Sequence, residues 1–477
     1  MRRTKIVCTL GPSCTDAATI RAMLLAGMNV ARMNFSHQTH EQHDKNLRLF
    51  REVRDSLGIP AAVMLDTKGP EIRVRDFEAG GVSLSEGDRF CFINGEDGSL
   101  GNQDGIPVTL RGFSSHIKAG DTILADDGKL VFEVTEVDSN KVTCRVVTGG
   151  ELRSHKGLNV PSVHIDMPYL SDADKADLLF GVEHDVDFIA ASFVRTRADV
   201  VEMRKFLDYH GGHQIKIIAK IENAEGTENF DSILDVSDGI MIARGDMGVE
   251  LEYERLPGLQ KEFIRRCYRS GKMVITATQM LESMMTNPSP TRAEITDIAN
   301  AVFDGTSAVM LSGETAAGAH PIEAVRVMAK VARQAERDAF RNGMYKNHDY
   351  ETKANDITNA ICDATCTTAA DINARAIIAV TKNGKTARRM SKFRPEQIIV
   401  AATPEPKAFH QLSLSWGVCP VLARYQSTTD DIFRHALDCA KQIDVVEDGD
   451  FVVITGGVPL GVAGSTNILK VQKVGED

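Results

Sequence analysis

Lys220 and Glu222 stand two residues apart at the end of an apolar run that begins at Ile215. In an extended strand this spacing points both side chains to the same face. Alone, the pair reads as a salt bridge at the rim of a sheet. Asp246 changes that reading, because it closes the next apolar run, Gly239-Ile-Met-Ile-Ala-Arg244, in the same way. Two carboxylates from adjacent strand ends supply hard oxygen ligands for Mg²⁺, an ion that keeps waters and bridges to substrate oxygens. Lys220 would then face the negative charge such an ion gathers. Arg244-Gly245-Asp246-Met247-Gly248 is a tight turn able to open a short helix. Glycine there lets a ligand approach the backbone, and the first N–H groups of a helix favour anions. A plain loop with two glycines is the simpler alternative.

These residues require strands that end together. Eight short apolar segments run into polar or charged tips: 4–11, 30–36, 61–67, 187–193, 216–222, 239–245, 274–280 and 308–314. Their tips hold Arg32, Asn34, Asp66, Lys220, Glu222, Asp246, Thr278 and Glu314. Amphipathic helical segments alternate with them, as at 15–26, 198–210 and 322–340. Nearly continuous apolar strands belong to a parallel sheet covered on both faces. Eight strand–helix units predict a closed (β/α)₈ barrel, whose chemistry sits at the carboxyl ends of its strands.

The alternation breaks once, between Gly69 and about Tyr169. Short β-branched stretches separated by turns such as Gly80-Gly81, Asn94-Gly95 and Asp126-Asp127-Gly128 predict a small inserted β-barrel, 70–169. The flanking segments 1–69 and 170–340 together approach the roughly 250 residues of one complete barrel. A polar break follows residue 341. Beyond it, 341–477, strands alternate with helices again, which predicts an open α/β domain with strands near 374–381, 397–402 and 451–455.

Composition narrows the function. With 43% hydrophobic and 25% charged residues the chain is an ordinary globular protein, and its net charge of −11 argues against general affinity for nucleic acid or anionic membranes. Nine scattered cysteines without framework spacing suggest free thiols in a reducing compartment. No secretory signal and no stretch long enough to span a bilayer is present, so the cytoplasm is expected. His40-Glu41-Gln42-His43 lacks the zinc spacing. Gly384-Lys385-Thr386 resembles the end of a Walker motif, but Ala379 stands where its first glycine belongs. The strand-to-helix turn at 381–388, with Lys382, Lys385 and Arg388, remains a candidate phosphate nest.

Longer strings identify the chain as similar to the pyruvate kinases. They are Thr4-Lys-Ile-Val-Cys-Thr-Leu-Gly-Pro12, Met33-Asn-Phe-Ser-His37, Leu65-Asp-Thr-Lys-Gly-Pro-Glu-Ile-Arg73, Lys156-Gly-Leu-Asn-Val-Pro161, Ile218-Ala-Lys-Ile-Glu-Asn223, Met241-Ile-Ala-Arg-Gly-Asp246, Ile275-Thr-Ala-Thr-Gln-Met280 and Met310-Leu-Ser-Gly-Glu-Thr315. They occur in family order across essentially the whole chain. The resemblance implies a catalytic barrel, an inserted lid, an effector and assembly domain, and a homotetramer. It implies transfer of phosphoryl from phosphoenolpyruvate to ADP, yielding pyruvate and ATP, the last step of glycolysis.

Carried over residue by residue, the resemblance gives Glu222 and Asp246 the divalent metal, Mg²⁺ or Mn²⁺. Lys220 and Arg32 take the phosphoryl group, the backbone of Gly245 and Asp246 the substrate carboxylate, and Thr278 the protonation of the enolate. Arg73 and Lys156 reach nucleotide phosphates, with Asn34 and His37 beside them. Asn34, Ser36, Asp66 and Thr67 correspond to monovalent-cation ligands, and Glu71 resembles the K⁺-requiring type. A phosphorylated allosteric effector is expected at Thr381, Lys382, Asn383, Gly384, Lys385, Thr386 and Arg388, with the loop at 456–467 and Trp416 nearby. Because the sequence stops at Asp477, the phosphohistidine-type domain of some bacterial relatives is not expected. Two rivals differ in class. A metal-dependent lyase or aldolase would share the paired carboxylates but need neither Arg73, Lys156 nor the insert. A catalytically silent binding protein would not need Lys220, Glu222, Asp246 and Thr278 together.

Overall fold

The computed structural model describes residues 1–95, 99–161, 163–345, 356–459 and 466–476. Eight parallel strands close into a barrel: β1 (Lys5–Thr9), β2 (Val30–Asn34), β3 (Ala62–Asp66), β4 (Phe188–Ala191), β5 (Lys216–Ile221), β6 (Gly239–Ala243), β7 (Met273–Ala277) and β8 (Ala308–Leu311). Each pairs with its sequence neighbour, and β8 returns to β1. The strands are apolar on both faces, as they must be when one face lines the barrel and the other meets helices. Val7, Met64, Phe188, Ile218, Met241 and Met310 fill the interior. A larger apolar layer joins the outer strand faces to the surrounding helices. Helix starts are set locally by side-chain caps, among them Thr39, Ser171 and Thr291, each paired with an acidic or amide side chain three residues on.

The insert leaves after β3 and returns before β4, yet β3 and β4 still pair, with Met64 opposite Phe188. Its strands form a seven-stranded sheet in the order Ile72–Arg73, Gly157–Asn159, Thr122–Ala125, Leu130–Val137, Lys141–Thr148, Arg89–Ile93, Gly105–Pro107. An antiparallel bridge between Val74 and Val108 joins its two edges and rounds it around Phe90, Phe92, Phe113 and Phe132. Closing the sheet removes the exposed edges.

The carboxyl-terminal sheet has five strands: β9 (Ala376–Val380), β10 (Ile398–Thr403), β11 (Val418–Leu422), β12 (Phe451–Gly457) and β13 (Thr466–Lys473), in the order β11–β10–β9–β12–β13. All neighbours are parallel except β12 and β13. Sequence reading missed β11, whose five residues include Pro420, and β13, an edge strand with polar residues throughout. Neither shows a strand pattern without the sheet beside it.

This unit docks on the amino-terminal rim of the barrel. Leu414 enters the interior cluster from below, and the Lys5 ammonium donates to the Val418 carbonyl at 2.7 Å. Trp416, the single tryptophan of the chain, is wholly buried at this junction rather than open to the 381–388 turn. It packs against Phe340 and Tyr345, with the Arg394 guanidinium 4.7 Å from its ring centre. Its emission should therefore report the junction between barrel and carboxyl-terminal sheet. We expect blue-shifted fluorescence that iodide fails to quench in the folded protein. Ready quenching would contradict this placement.

Candidate active site

The carboxyl ends of β2, β3 and β5 bring four charged groups together. Asp66 ends β3 and is 1% exposed. One of its oxygens accepts from Arg32 Nε, on neighbouring β2, at 2.6 Å. The other accepts from Lys220 Nζ, on β5, at 3.1 Å. Lys220 also lies 3.0 Å from Glu222 Oε1. Arg32 is further held by the Thr9 hydroxyl of β1 at 2.8 Å. Burial alone would raise the Asp66 pKa, but the Arg32 and Lys220 charges outweigh it and hold the carboxyl below its usual range. Burial pulls Lys220 the other way, toward neutrality, and the Asp66 and Glu222 charges reverse that and raise it. The ammonium is therefore a fixed charge at any physiological pH.

Glu222 and Asp246 carry the opposite problem. Burial raises both. Glu222 is pushed up to about 7, with Asp246 adding to the rise and Lys220 opposing it. Lys220 opposes the rise at Asp246 as well. Glu222 Oε2 also accepts from the Phe193 backbone N–H at 2.6 Å. Among the described residues no three His, Cys, Asp or Glu side chains converge as a metal cage. Two buried carboxylates with excess negative charge fit a hard divalent cation that leaves most of its shell to water and substrate oxygens.

Across the mouth, Thr278 and Gln279 follow β7 with φ of +68° and +54°. A non-glycine residue in this region costs on the order of 1–3 kcal/mol and persists only when its surroundings impose it. Arg244 imposes it here. The guanidinium donates to the Thr278 carbonyl at 2.6 Å and the Ala277 carbonyl at 3.2 Å, and pairs with Asp297 at 2.7 Å. The result aims the Thr278 hydroxyl at the Gly245 N–H, which donates to it at 2.8 Å.

The remaining predicted residues fall into three groups. Asn34 stands opposite Asp66 in strand register, and its side-chain oxygen accepts from Ser36 N–H at 3.1 Å. Thr67 continues β3, and its carbonyl accepts from the Ser192 hydroxyl at 2.7 Å. Asn34, Ser36, Asp66 and Thr67 thus share one stretch of rim. His37 is exposed, its carbonyl hydrogen-bonded to His43 at 2.8 Å. Arg73 and Lys156 are not engaged with this centre. Arg73 pairs with Glu71 at 2.5 Å and donates to the His155 carbonyl at 2.7 Å, while Lys156 pairs with Asp126 at 2.6 Å. The insert nevertheless touches the rim: Asn159 donates to Glu250 at 3.1 Å, and His164 meets Glu225 at 3.1 Å. Charges on Glu71 and Asp127 of the insert help raise the Asp246 pKa.

In the 381–388 turn, the Thr381 hydroxyl accepts from Gly384 N–H and the Asn383 side chain from Lys385 N–H. The Lys382 carbonyl accepts from Thr403, and Thr386 meets Thr466 hydroxyl to hydroxyl at 2.6 Å. Positions 460–465 of the neighbouring loop lie outside the described residues. Lys385 and Arg388 do not point to this loop alone, because both also line a cavity against the barrel.

Sequence reading missed Ser192. Its hydroxyl is 2.7 Å from Lys220 Nζ, 3.1 Å from Asp66 Oδ1 and 2.7 Å from the Thr67 carbonyl. It locks the ammonium between the two carboxylates. A serine after an Ala-Ala strand end carries no motif, and only its place beyond β4 could have drawn attention to it.

The comparisons agree with this geometry. The family model "Pyruvate kinase, barrel domain" matches residues 1–325, and "Pyruvate kinase, alpha/beta domain" matches 359–472. The pyruvate kinase of Clostridium acetobutylicum is 46% identical over 474 residues, covering 99% of this chain and 100% of the relative. That of Staphylococcus haemolyticus is 44% identical over 483 residues, covering 100% of this chain and 81% of the relative. A crystal structure of a pyruvate kinase from Cryptosporidium parvum superposes with a TM-score of 0.91 at 38% identity, covering 99% of this chain and 96% of that one. A closed eight-stranded barrel with its charged centre at the carboxyl rim, matched over nearly its full length by these relatives, belongs to the pyruvate kinase family and is a phosphotransferase.

Proposed function

We propose that the rim of β2 to β7 transfers the phosphoryl group of phosphoenolpyruvate to ADP, with Arg32 and Lys220 as its electrostatic clamp. The observation that carries this reading is the convergence of Arg32, Lys220, Glu222 and the Asp66 anchor within direct hydrogen-bonding distance. Phosphoryl transfer needs alignment and charge neutralisation more than covalent help from the protein. Fixed cations in a buried site stabilise charge on the moving group without reorganising. A divalent cation, Mg²⁺ or Mn²⁺, held by Glu222 and Asp246 would supply further neutralisation of the substrate oxygens.

Each remaining residue takes a defined part. Arg32 and Lys220 bind the phosphate of phosphoenolpyruvate. The N–H groups of Gly245 and Asp246 receive its carboxylate, which requires the Thr278 hydroxyl to release Gly245. That exchange frees Thr278 to order the water that protonates the enolate carbon once the enol oxygen–phosphorus bond has broken. Arg73 and Lys156 must exchange Glu71 and Asp126 for the phosphates of ADP, with Asn34 and His37 beside them. Residues 70–169 act as the lid, and its closure excludes water as a competing phosphoryl acceptor. The barrel, 1–69 with 170–340, and the 341–477 unit, which carries effector binding and assembly into a homotetramer, complete the division. No helix among the described residues is long and apolar enough to cross a membrane, and the cytoplasm is the proposed compartment.

Asn34, Ser36, Asp66 and Thr67 are proposed to hold K⁺. Burial raises the Glu71 pKa, Arg73 opposes the rise and the Asp127 and Glu222 charges add to it; a lysine at position 71 would bring positive charge to the same place.

Three measurements test this reading. Lys220→Met should lower ATP formation from phosphoenolpyruvate and ADP by roughly 10³-fold with the circular dichroism intact. Near-normal turnover would remove Lys220 from the mechanism. Ser192→Ala removes one hydrogen bond to the ammonium, worth about 1–1.5 kcal/mol, and should lower kcat about tenfold with little change in KM. A change confined to KM would contradict its positioning role. Replacing K⁺ and Na⁺ by tetramethylammonium should abolish most turnover, and Glu71→Lys should restore part of it. Full activity of the unaltered chain without K⁺ would refute the cation site.

A further inference from the structure

A cavity of about 320 Å³ opens where the amino-terminal rim of the barrel meets β11. This is at the lower end of the range for small-molecule sites, roughly 300–1,000 Å³. Its walls are the segment leading into β1, the turn between the helix Ala17–Ala26 and β2, the helix Pro321–Arg341, and residues of the stretch 413–420. Lys5, the first residue of β1, lines it with only 7% of its surface exposed.

The catalytic rim makes no use of this amine. Among the described residues no carboxylate lines the cavity, whereas Arg2 and Arg333 do. The Lys5 amine donates to the Val418 carbonyl at 2.7 Å. Glu336, on the same helix as Arg333, spends its oxygens on the backbone N–H groups of Arg3 and Thr4, at 3.0 and 2.6 Å. Burial lowers the Lys5 pKa to about 8; Cys419 opposes the fall, Arg2 adds to it and Glu336 opposes it. Burial raises the Cys419 thiol in turn, against the charges of Lys5 and the amino terminus, so no thiolate offsets the ammonium. At neutral pH roughly a tenth of the amine is then uncharged, against less than about a thousandth for an ordinary lysine. Arg2 donates through Nη2 to the Gly27 carbonyl at 2.5 Å and to Asn29 at 2.6 Å. Its Nε and Nη1 are buried without a partner among the described residues, as is the Ser413 hydroxyl of the carboxyl-terminal unit. Arg333 is exposed and donates to the Ala329 carbonyl of its own helix at 3.2 Å. Buried donors left without acceptors cost free energy that an anion formed among them would relieve.

We propose that Lys5 is a site of reversible carbamylation by carbon dioxide. The uncharged amine attacks the carbon of CO₂, a C–N bond forms, one C–O π pair moves onto oxygen, and the nitrogen releases a proton to solvent. Nothing is oxidised or reduced. The product is a carbamate, an anion where a cation stood. Its oxygens accept from Arg2, Arg333 and the Ser413 hydroxyl, and its N–H keeps the Val418 carbonyl. A small neutral reagent fits a cavity of this size, and the arginines favour the charged product over the reagent, which sets the equilibrium. Arg2, Lys5 and Arg333 belong to the barrel, while Ser413 and Val418 belong to the carboxyl-terminal unit, so the carbamate ties the two together.

The test is chemical trapping on the full chain. The protein is equilibrated with isotopically labelled CO₂ and bicarbonate at a pH of about 8, where half of the amine is uncharged. Triethyloxonium ion then converts any carbamate to a stable ethyl ester, which peptide mass mapping locates. We expect a labelled adduct on Lys5 and none on exposed lysines, because an ordinary pKa of roughly 10.4 keeps a lysine charged. Arg333→Gln changes an exposed position and should fold normally, which circular dichroism checks. It should weaken the CO₂ affinity at Lys5 about tenfold, the loss of one charge-assisted hydrogen bond. Absence of an adduct on Lys5 at saturating CO₂ would overturn the proposal. So would an adduct confined to the amino group of Met1, which lines the same cavity, or occupancy of Lys5 that Arg333→Gln leaves unchanged.

Discussion

A single buried ammonium organises the catalytic rim. Lys220 is held by Asp66, Glu222 and Ser192, from three different strands or their extensions. An ammonium taken out of water this far is tolerable only because carboxylates surround it, and those carboxylates are tolerable only because of the ammonium and Arg32. Breaking one partner strands the others. This mutual dependence fixes the positions of the groups proposed to meet the substrate phosphate, so little reorganisation is left for that step.

Against that fixed side stands a movable one. Burial raises the pKa of both Glu222 and Asp246, and Lys220 opposes the rise at each. Thr278 sits in a strained backbone conformation clamped by Arg244, its hydroxyl engaged with Gly245. Arg73 and Lys156 are neutralised within the insert. Each of these arrangements satisfies the charges and donors internally and is open to exchange for a ligand group of the same kind. The rim is therefore rigid where charge must be preorganised and exchangeable where substrate must enter.

The junction beneath the barrel extends the same logic over a longer distance. Trp416, Arg394, Tyr345 and Phe340 form a tightly packed contact between the two units. Packed interfaces shift as units rather than deform continuously, so a change at this contact is felt by both units.

Much of this was readable in the amino-acid order, and the division follows from the range of the interactions. Apolar runs ending in Asp66, Lys220 with Glu222, and Asp246 predicted the barrel strands and the rim on which these side chains meet, because alternation along a strand is a local property. The turn-rich stretch after Gly69 predicted an inserted β unit for the same reason. Contacts between distant segments were beyond local reading. Ser192 matters only because β4 lies beside β3 and β5. Arg244 matters because the segment after β7 crosses its guanidinium. Lys385 and Arg388, which looked like part of a phosphate nest, also face the barrel because of how the helix Lys385–Lys392 docks. Sequence alone determined which residues end the strands; tertiary packing decided which of them share a charge, a strain or a cavity, since those energies depend on distances the chain acquires only when closed.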